Sequence, residues 1–317
     1  MRKKSWSILS PGDFVDIIAP ASFSEQEKFQ NGIAWLNHIG LRPRIPHDII
    51  KPDLYFAAPL EIQLKHLKEA LYSDSKAIWC LRGGYGSMRL IPHLLKLKPP
   101  KIPKLFIGFS DITSLHLFFT QVWNWPVIHG RTISQLSIKL GETEDRKFLE
   151  EMIFGYKQTK IFKKLIPLNT FATINQSISG PITGGNLRII QSSLGTPWEI
   201  SPKGKILFIE DVSERGYSLD RMFEQLIQAR LLDHRIKAVI FGDFTEGKEK
   251  NGNDLTRDAL VRFASRVPYP VLMGFPAGHG EINYPVPFNV NCQLFLGKKA
   301  SITCNYGGLK KIQNDSI

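Results

Sequence analysis

Only four residues, Gly108-Phe109-Ser110-Asp111, separate the apolar run Lys104-Leu105-Phe106-Ile107 from Ile112, Leu115 and Phe119, which recur at helical spacing. A short apolar strand that turns this abruptly into a helix reads as part of a parallel sheet buried on both faces. A hydroxyl at such a turn is lifted out of the sheet. The amide that follows it points from a helix N-terminus, where negative charge is favoured. That is the geometry of a nucleophile elbow. The segment departs from G-x-S-x-G because Ile112 stands where the second Gly would be. Ser-Asp ahead of a helix is also an ordinary N-cap, so on this segment alone both readings of Ser110 stay open.

The surrounding chain repeats the pattern. Phe14 to Ala19 reads as a strand closed by Pro20, and Phe29, Ile33 and Leu36 mark a helix ending near Gly40. Leu60, Leu64, Leu67 and Leu71 mark a second helix. Ala77 to Leu81 is a buried strand followed by Gly83-Gly84-Tyr85-Gly86-Ser87 and a helix to about Leu94, and Pro126 to Ile128 adds a short strand. Strand–helix alternation with short loops predicts a parallel sheet, with functional loops at the carboxyl ends of its strands. The Gly-rich turn and Ser110 both fall at such ends, which favours the elbow. Beyond Gly155 the chain becomes Thr-, Asn- and Lys-rich, so the expected division is an N-terminal α/β domain over 1–155, a linker over 156–175 and a second domain over 176–317. The second half reads as mixed α/β. It has strands at Ile206 to Glu210, Ala238 to Gly242, Cys292 to Leu296 and Ala300 to Cys304, and a strongly amphipathic helix with Leu219, Met222, Phe223, Leu226, Ile227 and Arg230 on one face. The polar Leu309–Ile317 is expected to fray.

The chain has 317 residues, 43% of them hydrophobic, enough to bury the cores of two domains. No apolar run approaches the ~20 residues of a membrane-spanning helix. The basic start, Met1-Arg2-Lys3-Lys4-Ser5-Trp6, is interrupted by Pro11-Gly12-Asp13 before a signal-like apolar region develops. Cys80, Cys292 and Cys304 are far apart, without metal-ligand spacing, and read as buried free thiols. The expectation is a cytoplasmic protein with no metal, no cofactor and no membrane contact. The formal charge of +12 is spread evenly, 20 Lys+Arg against 15 Asp+Glu up to residue 155 and 21 against 14 beyond it. Local lysine clusters (Lys96, Lys98, Lys101, Lys104; Lys160, Lys163, Lys164) lack interleaved stacking aromatics, which argues against nucleic acid. A diffusely basic surface suits acidic small substrates.

A serine nucleophile needs a base, and the base needs a carboxylate to hold its tautomer. Of eight histidines, His38, His66 and His116 sit in helical patterns, and His47, His93 and His234 lie in loops or helix ends. His129, at a strand end before Gly130, is a candidate to line the same cleft. His279 stands out in Gly274-Phe275-Pro276-Ala277-Gly278-His279-Gly280, where flanking glycines let a tight loop present an imidazole. For the carboxylate, Glu210 and Asp211 end an apolar strand, and spacing does not choose between them. The chain order Ser…Glu/Asp…His is that of α/β-hydrolases. The Gly83–Ser87 turn lacks both G-x-x-x-x-G-K-[ST] and G-x-G-x-x-G. It can cradle an anion or nucleotide without catalysis, or supply a Gly83 or Gly84 N–H to an oxyanion beside the Asp111 N–H.

Taken together, the motifs resemble the LD-carboxypeptidase family of serine peptidases, which includes microcin C immunity peptidases. The resemblance spans nearly the whole chain: Pro11-Gly12-Asp13, Ile17 to Pro20, Leu81 to Ser87, Ile107 to Thr113, His129-Gly130, Gly184-Gly185-Asn186-Leu187, Leu207 to Val212, Asp220-Arg221-Met222 and Gly274 to Gly280. It implies catalytic Ser110, Glu210 and His279. It also implies a flavodoxin-like N-terminal parallel-sheet domain, a C-terminal domain with β-barrel-like character, and a homodimer. The implied reaction releases the C-terminal D-alanine of a murein tetrapeptide in cell-wall recycling, with cleavage of a peptidyl-nucleotide or another acyl-amide as the alternative. Arg131, Arg188, Ala277 and Glu281 depart from the family pattern and are read as positions that line the cleft and affect the substrate.

Overall fold

The computed structural model describes residues 5–306, the side chain of Leu140 excepted; the tail expected to fray lies outside them. The first half builds β1 (Phe14–Ile18), α1 (Gln26–His38), β2 (Arg42–Arg44), α2 (Leu60–Tyr72), β3 (Ala77–Cys80) and the single turn α3 (Ile91–Leu94). It continues with β4 (Leu105–Gly108), α4 (Thr113–Gln121), β5 (Val127–His129) and α5 (Glu144–Ile153). Strands β2-β1-β3-β4-β5 lie side by side in that order, all parallel. Every residue of β3 and β4 is buried, as a sheet covered on both faces requires.

The second half contributes β6 (Thr159–Lys163), β7 (Ile166–Pro167), β8 (Ser177–Asn186), α6 (Leu187–Ser192), β9 (Ile206–Val212) and α7 (Gly216–Gln228). After these come β10 (Ala238–Thr245), α8 (Thr256–Ser265), β11 (Val271–Met273), β12 (Val286–Phe288), β13 (Asn291–Phe295) and β14 (Ser301–Asn305). The ten-residue β8 serves two pairings. Its first half runs antiparallel to β13, and its second half runs parallel to β9. From β8 the sheet extends through β9, β10 and β11 to β7 on one side and through β13 and β14 to β6 on the other. Only Lys164 and Leu165 lie between β6 and β7 along the chain, so the two outer strands meet and the sheet curls toward a barrel. Strand β12 pairs antiparallel with β5 and parallel with β8, joining both halves in one 14-stranded sheet.

Two sequence expectations change here. Arg230 is not part of the buried face of α7: the helix ends at Gln228, and Arg230 is exposed with φ +57°. Lys104 is not a surface charge. It is buried at the start of β4, donating to the Ala70 carbonyl and to the Ser73 carbonyl and hydroxyl (2.5, 2.9 and 2.7 Å). Burial lowers its pKa to about 8 although Asp16 lies 3.9 Å away.

Candidate active site

The elbow forms as a strained turn. Ser110 has φ +64°, the left-handed region that costs a side-chain-bearing residue roughly 1–3 kcal/mol. It is not an N-cap; a 3-10 turn over Ser110–Ile112 leads into α4 at Thr113. Ile112 folds back over the end of β4, where a Cβ on Gly108 would stand 2.8 Å from the Ile112 side chain. The Gly expected after the nucleophile is therefore unnecessary, because Gly108 before it supplies the room.

The Gly-rich turn packs directly on this elbow. A Cβ on Gly83 would stand 2.9 Å from Ser110 Cβ and 3.2 Å from its Oγ, so only glycine allows the approach. Gly84 (φ +98°) rests on Ser22, whose N–H donates to the Gly83 carbonyl at 3.1 Å. Asp111 fastens the two segments. Its buried carboxylate accepts the Ser87 N–H (2.9 Å), and the Ser87 hydroxyl donates back to the Asp111 carbonyl (2.8 Å). Among the described residues, the amides of Gly83, Gly84 and Asp111 donate to no protein acceptor. They border Ser110 as unpaired N–H groups.

His279 reaches Ser110 from the second half of the chain. Its Nε2 lies 3.0 Å from Ser110 Oγ, and its Nδ1 lies 2.6 Å from Glu210 Oε2. The loop needs both flanking glycines. A Cβ on Gly278 (φ +135°) would stand 3.1 Å from Glu210 and Asp243, and one on Gly280 would stand 2.5 Å from Asp243 Oδ2. Phe109 packs on the imidazole with ring centroids 4.7 Å apart. Burial disfavours the imidazolium, but the hydrogen bond and charge of Glu210 outweigh it and hold the His279 pKa above its ordinary value.

The strand pleat separates Glu210 from Asp211, since successive residues face opposite sides. Glu210 is completely buried against the His279 loop, with Oε1 left without a partner among the described residues. Asp211 turns the other way and accepts from Asn186 Nδ2 (2.8 Å), Arg188 N (3.0 Å) and Val212 N (2.8 Å). Burial, and then the neighbouring Glu210 charge, push its pKa up to about 7. His129, expected along the cleft, is fully buried beneath it. Its ring meets Phe109, Phe208 and Phe288, and burial drives its pKa far down.

The charged departures also do other work. Arg131 Nε pairs with the buried Asp145 carboxylate (2.6 Å), and its Nη2 donates to the Glu281 carbonyl (2.5 Å). Asp145 also accepts the Asn283 N–H (3.1 Å), and Asn283 Oδ1 accepts the Gly278 N–H (3.1 Å). Arg131 thus braces the His279 loop from the other half of the chain. Arg188 is held by Glu214 at 2.6 Å. Ala277 is buried; its carbonyl accepts the Asp243 N–H, and a Cβ on Gly242 would stand 2.3 Å from it.

Sequence reasoning missed Asp243, whose Oδ2 accepts the Gly280 N–H at 3.2 Å and whose pKa burial raises to about 6. The signal was available: like Glu210, it is a carboxylate ending an apolar strand. Asn283 and Asp145 gave none, since each acts only through a loop distant in sequence.

The LD-carboxypeptidase N-terminal domain model matches residues 15–130, and the C-terminal domain model matches residues 179–294. The murein tetrapeptide carboxypeptidase of Pseudomonas aeruginosa is 29% identical over 287 residues, 88% of this chain and 92% of its own. The microcin C7 self-immunity protein of Escherichia coli is 26% identical over 336 aligned residues, 96% of each. Among solved structures, the muramoyltetrapeptide carboxypeptidase of Oxalobacter formigenes superposes with a TM-score of 0.77 at 26% identity, covering 92% of this chain and 98% of that one. With both domain models matched in order and the fold shared along nearly the whole length, this chain belongs to the LD-carboxypeptidase family of serine-type peptidases.

Proposed function

We propose that this protein is a carboxypeptidase that removes the C-terminal D-alanine of a murein tetrapeptide, with Ser110, His279 and Glu210 as its catalytic triad. One observation carries the reading: Ser110 Oγ, the His279 ring and Glu210 Oε2 form a continuous hydrogen-bonded line at the tip of a strained elbow. The names of the Pseudomonas and Oxalobacter relatives support this choice of substrate.

His279 Nε2 takes the Ser110 hydroxyl proton as Oγ bonds to the carbonyl carbon ahead of the terminal residue. The resulting oxyanion lies against the Asp111 N–H and a Gly83 or Gly84 N–H, where one such donor is typically worth ~10²–10³ in rate. His279 then gives its proton to the leaving amine, the C–N bond breaks, and free D-alanine departs. Water, deprotonated by the same imidazole, cleaves the acyl-serine ester. Glu210 accepts the Nδ1–H throughout and stabilises the transient imidazolium.

The test is mass spectrometry of a murein tetrapeptide incubated with wild type and with Ser110→Ala. Wild type should release D-alanine, and the variant should lose roughly 10⁶ in kcat with an unchanged thermal melt. Near-normal release by the variant overturns the triad. A wild type that leaves the tetrapeptide intact but cleaves a peptidyl-nucleotide amide keeps the triad and replaces the substrate.

A further inference from the structure

A carboxypeptidase differs from other peptidases in having to recognise a free carboxylate one residue beyond the bond it cuts. That carboxylate is a full charge entering a partly desolvated cleft, so it needs a cation whose own charge is not already satisfied. The arginines about the elbow divide by this criterion together with exposure. Arg131 is bound to Asp145 and Arg188 to Glu214; Arg89 has no carboxylate partner among the described residues, but it is half-buried, with its guanidinium carbon 3.9 Å from the Phe56 ring centroid and its Nη1 enclosed by protein.

Arg82 is different. It is exposed, directly precedes Gly83, and makes one hydrogen bond, from Nη1 to the Phe23 carbonyl at 2.7 Å. No carboxylate pairs with it among the described residues. That bond uses one of five guanidinium donors, and a guanidinium's planar fork matches a carboxylate bidentately.

Its placement follows the substrate's dimensions. Gly83 is the residue in contact with Ser110, and Arg82 is the next along the chain, about 3.8 Å away between Cα atoms. The carboxylate of a leaving residue lies one residue beyond the scissile carbonyl, and Arg82 branches from the chain one residue from the Gly83 that packs on Ser110. The turn between them is held rigid, since the Ser22 hydroxyl accepts the Tyr85 N–H at 3.2 Å while the Ser22 N–H donates to the Gly83 carbonyl. We infer that Arg82 binds the C-terminal carboxylate of the substrate and so restricts cleavage to the last residue. This role rests on the peptidase reading above.

The experiment compares wild type, Arg82→Ala and Arg82→Lys on a murein tetrapeptide and on the same peptide with a C-terminal amide. The expected result for Arg82→Ala is a loss of about 100-fold in kcat/KM on the free acid, the scale for removing one partner of a desolvated charge pair. On the amide, its rate should stay within about threefold of wild type, because the interaction it lacks is absent there for both enzymes. The acid-to-amide preference therefore collapses, and Arg82→Lys restores part of it. Equal losses on both substrates, or no loss on the acid, overturn the assignment while leaving the triad standing. If Arg82→Ala melts below the assay temperature, Arg82→Gln carries the same comparison. A wild type that cleaves neither peptide rejects the carboxypeptidase reading, and the role of Arg82 with it.

Discussion

At the scale of single residues, burial and pairing pull the His279 imidazole in opposite directions. Burial favours the neutral ring, Glu210 favours the charged one, and Glu210 prevails. A base must be neutral to accept the Ser110 proton, so activity is lost as pH falls through a raised pKa. The acid limb of the wild-type kcat/KM profile should therefore lie above the ordinary histidine value of about 6.5. Glu210→Gln removes the charge that raises the pKa while burial persists. Its limb should shift to lower pH and its kcat should fall by roughly 10⁴ as the tautomer is lost. An unshifted limb in the variant would assign it to another group. Local sequence was sufficient to nominate Ser110 and His279, because a strand–turn–helix and a pair of flanking glycines are legible one neighbour at a time. Asp211 and His129 were not resolvable that way. Whether a strand residue faces a loop or a core depends on which segments cover the sheet.

Among elements, β8 is the one on which the site's second half turns. Its switch from antiparallel pairing with β13 to parallel pairing with β9 ends in Gly184-Gly185-Asn186. Gly184 has φ +134°, and a Cβ there would stand 1.7 Å from the Phe208 carbonyl oxygen. A Cβ on Gly185 would stand 2.5 Å from Thr113 Oγ1, the acceptor of the Asn186 N–H at 3.1 Å. These glycines let β8 lie between β9, which carries Glu210, and the helix that follows Ser110. Gly184→Ala is expected to cost ~3 kcal/mol or more, combining backbone strain with a clash against a carbonyl that cannot rotate away. A denaturant midpoint within experimental error of wild type would refute this. The elements themselves were largely readable. The all-apolar β3 and β4 and the helical face of α7 up to Ile227 follow from periodicity alone. The sheet switch in β8 escaped, because a Gly-rich strand has no alternation to read.

For the whole molecule, the decisive relation is the joint between the halves. The pair of Arg131 with the buried Asp145 carries the Asn283 and Glu281 contacts that hold the His279 loop against Ser110. Arg131→Ala leaves that carboxylate buried and unpaired, a change that costs ~3–5 kcal/mol. It should lower both Tm and kcat, with the loss of kcat surviving at temperatures where the variant is still fully folded. A variant with wild-type turnover well below its melt would reduce Arg131 to a structural role. Read in order along the chain, the residues determined that there would be a parallel sheet, an elbow presenting Ser110 and a glycine-flanked imidazole. Strand period, turn chemistry and helix spacing are properties of neighbours. Local pattern left Glu210 and Asp211 open, with only the family resemblance implying Glu210; the folded chain sets Glu210 against His279, buries His129 beneath the cleft and makes Arg131 brace a loop. Glu210 and His279 are 69 residues apart, and Arg131 and Glu281 are 150 apart. Such contacts are set by which faces of the sheet are covered, and no local pattern encodes that.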